Sequence, residues 1–109
     1  MILIVVKFPV RPERSDEWQS LAADYARAVN QEEGSLFFEW SKSLDEPDTY
    51  VVVEGFRDSD AGASHVQTQA FTEFVERAPD LVARQPQIIY VDAPDVPGWG
   101  PMGEIQPRG

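Results

Sequence analysis

Cysteine is absent from these 109 residues, and histidine occurs once. The first absence excludes disulfides, thiolate catalysis and cysteine-ligated zinc or iron–sulfur centres. The second means that any imidazole chemistry must pass through His65. Basic residues are also scarce: nine Lys and Arg against nineteen Asp and Glu give a formal charge of -10. That balance argues against nucleic-acid or polyphosphate partners, whose affinity comes from cations that neutralise phosphates. There is no Gly-rich phosphate loop and no nucleophile elbow. Long apolar runs are missing too. The opening Met-Ile-Leu-Ile-Val-Val-Lys has no basic segment and reads as a strand rather than a signal peptide or membrane span. The expectation is a cytoplasmic protein with no membrane partner.

What is present is the patterning of one α+β domain. Hydrophobic residues make up 42 % and charged residues 26 % of the chain, ordinary globular values for a chain of single-domain length. Gly34 to Asp60 reads as a hairpin. Leu36 to Trp40 and Tyr50 to Phe56 are rich in aromatic and β-branched residues, and Asp45-Glu46-Pro47-Asp48 between them has turn chemistry. A four-residue turn with Leu44 opposite Thr49 sets Glu39 opposite Glu54. Alternation then gives one face with Phe37, Glu39, Ser41, Tyr50, Val52, Glu54 and Phe56, and another with Leu36, Phe38, Trp40, Val51 and Val53. Neither is polar enough to be left in water.

Ile2 to Val10 is a first strand, apolar at nearly every position. Pro12 opens a helix with Glu13, Asp16 and Glu17 in its first turn. Trp18, Leu21, Ala22, Tyr25, Ala26 and Val29 form its apolar stripe, and about five turns carry it to near Gly34. After the hairpin, Ser59 or Asp60 caps a second helix through His65, with a break near Gln67-Thr68, continuing to Phe71, Phe74 and Val75. Pro79 stops it. Gln87 to Val91 is a last strand, so residues 1–93 form the domain. From Pro94 to Gly109 the chain is a Pro/Gly-rich tail without periodicity, with Trp99 and Met102 available to dock on the domain or on a second subunit. The order β-α-β-β-α-β is the ferredoxin-like arrangement, an antiparallel sheet with both helices on one face. The other face, with Leu36, Phe38, Val51 and Val53, calls for a homodimer.

These residues resemble the antibiotic biosynthesis monooxygenase family of dimeric α+β barrel proteins, its quinol-oxidising branch in particular. The resemblance rests on the first strand with Val10-Arg11-Pro12-Glu13, on Glu33 to Trp40, on Tyr50 to Asp58, and on Ala63-Ser64-His65 followed by Phe71. It implies oxygenation of a quinol, anthrone or aromatic polyketide by O₂ with no flavin, haem or metal cofactor, in a pocket between the sheet and its own helices. Family members often carry a second histidine where Ala70 stands. The haem-degrading and anthrone-oxidising branches place tryptophan at the position of Phe56, and the anthrone oxidisers place asparagine at Val52. These departures favour the quinol-type chemistry.

His65 is the candidate base for a phenolic proton. Glu39 and Glu54, if opposed, repel one another, so that one carboxyl stays protonated towards neutral pH and serves as acid or base. Phe37, Tyr50, Val52, Phe56, Phe71 and Trp18 are candidates to hold a flat aromatic substrate, and equally good core residues. One histidine with two carboxylates also approximates a facial triad, although the usual triad has two histidines. Two other functions fit the same residues: isomerisation of a small carbonyl compound by proton transfer, and non-catalytic binding of a small molecule by a dimer.

Overall fold

The computed structural model describes all 109 residues. Four strands form one antiparallel sheet in the order β2-β3-β1-β4, with β1 Ile2–Pro9, β2 Ser35–Lys42, β3 Thr49–Phe56 and β4 Gln87–Asp92. Helix α1 is Ser15–Val29, α2 is Ser59–His65 and α3 is Gln69–Arg77. The architecture is the ferredoxin-like α+β arrangement expected from the order of elements. No helix is long and apolar enough to cross a membrane.

Local chemistry sets the element ends. Pro12–Arg14 form a 3₁₀ turn and α1 proper begins at Ser15, so α1 is shorter than expected at both ends. Asn30 N–H still closes a helical bond to Ala26 O, and the helix ends there because Gln31 and Glu32 turn more tightly, donating to the Ala28 and Val29 carbonyls. The cap of α2 is Asp58, not Ser59 or Asp60: its Oδ1 accepts from Ala61 N–H at 2.9 Å. The expected break after His65 is real, and Thr68 holds it. Its hydroxyl donates to His65 O at 2.8 Å and accepts from Phe71 N–H at 3.1 Å, so one side chain closes α2 and caps α3.

The hairpin register differs from the expectation by one residue. Phe38 lies opposite Glu54, and Glu39 lies opposite Val53. The cause is the loop. Lys42 pairs with Tyr50, Ser43 N–H donates to Thr49 O at 2.9 Å, and Asp48 adopts a left-handed conformation (φ 56°). Ser43 Oγ accepts from Asp45 and Glu46 N–H, folding the loop back over itself. The connection is thereby one residue longer than a four-residue turn, and since side chains alternate, that one residue turns all of β2 over.

The helix-facing side of the sheet is therefore built from rows that cross the strands. Phe38, Glu54, Ile4 and Tyr90 form one, and Trp40, Val52, Val6 and Ile88 the next. Phe38 and Trp40, expected on the far face, instead pack under α1 in an aromatic cluster with Phe8, Trp18, Tyr25 and Phe74. Trp40 Nε1 donates to Ala22 O at 3.1 Å. The far face carries Val5, Phe37, Glu39, Val51, Val53 and Ile89, and the ring of Trp99 from the tail lies 5.2 Å from that of Phe37.

Candidate active site

The sheet and the α2–α3 pair do not close completely on each other. Between them lies a cavity of about 670 Å³, floored by Ile4, Val6, Val52, Glu54, Ile88 and Tyr90 and roofed by His65, Phe71, Phe74 and Val75. Its wall is apolar except where Tyr25, Glu54, Ser59, His65 and Tyr90 reach it. A largely greasy, concave volume with polar groups gathered on a few elements is the ordinary form of a small-molecule site.

The polar groups centre on His65, which is 3 % exposed. Its Nδ1 lies 3.0 Å from Glu32 Oε2, and its Nε2 lies 3.0 Å from the Tyr25 hydroxyl and 3.7 Å from Glu54 Oε1. A carboxylate only accepts, so in the neutral ring Nδ1–H donates to Glu32 and Nε2 accepts from Tyr25 O–H. Glu32 arrives because the α1–β2 turn lies against α2. Gly34 is so close to Ala61 that a Cβ there would stand 2.2 Å from the alanine methyl. The Phe56 ring, 4.7 Å from the imidazole, backs His65 on the sheet side.

Burial sets the electrostatics. Glu54 is 6 % exposed, and desolvation, with a smaller contribution from the charge of Glu32, raises its carboxyl from 4.5 to about 7. Burial and the charges of Glu54 and Glu32 also push the Tyr25 phenol upward, keeping it protonated. The site thus holds a carboxyl near half-ionisation at neutral pH, a buried imidazole 3.7 Å away, and a second carboxylate that stabilises the imidazolium if it forms.

The structure brings His65 and Glu54 together and leaves Glu39 apart. Glu39 is exposed on the far face of β2, so the expected Glu39–Glu54 pair is not formed, and the raised value of Glu54 comes from desolvation and Glu32 instead. The same displacement dismantles the His65, Glu39, Glu54 triad, and no group of three His, Asp or Glu side chains is arranged to hold a metal ion. Of the residues expected to hold a substrate, Val52 and Phe71 line the cavity. Phe56 is buried behind His65. Trp18 is buried in the aromatic cluster under α1, and Tyr50 is bound by Ser15 and Gln19, both away from the cavity wall. Phe37 faces the other way, against Trp99. Sequence reasoning missed Tyr25, Glu32, Trp40 and Phe74 as parts of the site. Tyr25 and Phe74 were visible only as members of apolar stripes, and Glu32 stands in a polar turn where nothing local marks it.

Comparison with known proteins bears on the family and the fold. The sequence model of the family described as "Antibiotic biosynthesis monooxygenase" matches residues 1–77. An uncharacterised Synechocystis protein, sll1783, is 28 % identical over 87 residues, covering 80 % of this chain, and the chain spans only 59 % of that protein's length. "Putative monooxygenase YcnE" of Bacillus subtilis is 28 % identical over 83 residues, covering 76 % of this chain and 87 % of its own. Among solved structures, one titled a putative antibiotic biosynthesis monooxygenase from Caulobacter crescentus superimposes with a TM-score of 0.80 at 29 % identity, covering 84 % of this chain and 88 % of that one. Rv0793 from Mycobacterium tuberculosis gives 0.81 at 16 % identity, covering 89 % and 98 %, a likeness of fold alone.

Proposed function

This chain belongs to the antibiotic biosynthesis monooxygenase family, and we propose that it is a cofactor-independent monooxygenase oxidising a quinol or polycyclic aromatic of polyketide type with O₂ in the cavity above Glu54. The observation that supports this most directly is the buried Glu32–His65–Tyr25 chain with Glu54 beside it, opening on an otherwise apolar cavity. A flat ring fills the apolar part, and its hydroxyl meets the only proton-accepting groups in the wall.

In this mechanism the substrate hydroxyl gives its proton to Glu54, which lines the cavity and is half-ionised near neutrality. His65 Nε2 takes the proton in turn, Tyr25 changes from donor to acceptor, and Glu32 holds the imidazolium charge. The aryloxide passes an electron to O₂, and the radical pair joins at a ring carbon that carries hydrogen. Loss of water then leaves a new carbonyl. One oxygen atom stays in the product and the other leaves as water. The ring C–H and O–H supply the two hydrogens of that water, and the ring supplies the four electrons taken up by O₂. Val52, Phe71 and Phe74 hold the ring against the sheet.

The reading includes a cytoplasmic homodimer. The far sheet face is apolar at Val5, Phe37, Val51, Val53 and Ile89, and Ile89 is 64 % exposed. A second copy would cover it, and the mass in solution by light scattering tests this, a monomer at micromolar concentration refuting it. For the chemistry, oxygen uptake is measured with metal-stripped protein on a panel of hydroquinones, naphthoquinols and anthrones. Uptake above autoxidation is expected, with loss of at least about 100-fold in His65→Ala, the lower end of a general base's usual contribution. No enhancement with any flat aromatic, in a folded protein, would sink the oxygenase reading and leave the isomerase or binding function.

A further inference from the structure

The cavity wall has an imbalance that general acid–base chemistry does not require. It contains a carboxyl, Glu54, a second carboxylate one side chain behind it, Glu32, and no lysine or arginine at all. Outside it, Arg11 Nε donates to the carbonyl of the lining residue Val82 at 3.2 Å while its side chain faces water, and Lys7 and Arg84 line a separate polar pocket beyond Pro86. The polar groups that do reach the cavity are two phenols, a serine hydroxyl and the His65–Glu54 pair. Every one of them can bond a neutral hydroxyl or carbonyl. An anionic substituent finds no countercharge there, loses its water, and meets carboxylate charge instead.

We propose that the cavity selects electrically neutral, hydroxylated fused-ring molecules and rejects the same rings when they carry a sulfonate, carboxylate or phosphate. This rests on the reading of the cavity as the substrate site, and it is independent of whether O₂ is consumed there. The geometry supplies the direction of the effect. Glu54 and Tyr90 stand in the same cross-strand row with Ile4 between them, so a ring lying on the floor is bracketed by acceptor and phenol along its length. Within the cavity no lining side chain is a lysine or arginine that an anionic substituent could reach.

The test compares three ligands of one ring system by calorimetric titration of the full chain at pH 6.5: 1-naphthol, 1-naphthol-4-sulfonate, and the neutral 4-sulfonamide of similar size. Coulomb repulsion over roughly 7 Å at an effective dielectric near 20, together with lost hydration, predicts sulfonate binding weaker than naphthol by on the order of 100-fold. The sulfonamide should bind within about fivefold of naphthol. Ile88→Lys places a cation at the edge of the floor, where Ile88 is exposed, and should narrow the ratio of naphthol to sulfonate affinity by at least tenfold, whatever it does to naphthol itself. Sulfonate binding within fivefold of naphthol overturns the proposal, as does rejection of the sulfonamide, which would mean size rather than charge, or failure of naphthol to bind at millimolar concentration. This selectivity together with no oxygen uptake from any hydroquinone, naphthoquinol or anthrone of the panel would instead refute the monooxygenase reading and leave charge selection standing.

Discussion

Replacing Glu54 by glutamine isolates the cost of burying that carboxyl. The side chain keeps its shape but loses the charge that burial and Glu32 oppose. A carboxyl raised from 4.5 to about 7 in the folded protein is bound to its proton more tightly when folded than when unfolded. The stability it contributes is therefore fully present below pH 4.5 and is lost as pH rises towards and through 7. At about 1.4 kcal/mol per pH unit the full loss is about 3 kcal/mol, nearly all of it spent by neutral pH. The glutamine variant has no such loss. Urea unfolding followed by tryptophan fluorescence, at pH 4.5, 6 and 7.5, should show the difference in stability between Glu54→Gln and the parent growing in the variant's favour by about 3 kcal/mol from the lowest to the highest pH. Exposed carboxylates such as Glu17 and Asp58 titrate alike in both proteins and cancel. A difference that stays constant with pH, or that moves towards the parent, would refute the claim that Glu54 is buried without a countercharge.

Substitutions at four further positions follow from the geometry. Gly34→Ala places a methyl 2.2 Å from Ala61 Cβ and 3.3 Å from its Cα, where backbone cannot retreat; it should cost about 2–3 kcal/mol. Gly55→Ala meets only the Phe37 ring at 2.4 Å, which can swing away, so its cost should stay under about 1.5 kcal/mol by the same denaturation assay, and equal costs would contradict the argument. Asp58→Ala removes the α2 cap and should lower stability by about 1 kcal/mol, with Asp58→Asn recovering most of it. Glu39→Gln should leave oxygen uptake within twofold of the parent, because Glu39 is on the far face; a tenfold fall would mean that the carboxylate acts on the cavity after all.

Element order was legible because each element announces itself locally: the aromatic and β-branched strands, the Trp18 to Val29 stripe, the break after His65. The helix-facing side of β3 was legible too, since Val52 and Glu54 line the cavity floor as alternation required. The orientation of β2 was not. Both its faces carry large apolar residues, so alternation alone could not say whether Phe37 or Phe38 points inward, and the decision fell to the backbone of Asp48. The bases of the site were half legible. A lone histidine and a carboxylate in an apolar strand stand out, whereas Glu32 gains its role only from a long-range approach of two loops, with thirty-three residues separating it from His65.

A surface loop usually tolerates insertion and deletion because its length is decoupled from the core. The β2–β3 connection touches nothing in the cavity, yet the pair that closes it decides which side of β2 faces the helices. With the sequence unchanged, closing at Leu44 and Thr49 instead of Ser43 and Thr49 would set Glu39 opposite Glu54, bring a second carboxylate beside the first and send Phe38 and Trp40 out of the aromatic cluster. What has to be kept is the Ser43–Thr49 pair, not the number of residues it encloses. Among related chains the loop beyond that pair should therefore vary freely in length, whereas a residue gained or lost within β2 itself should be matched by a compensating bulge such as the one already present between Ser35 and Phe37.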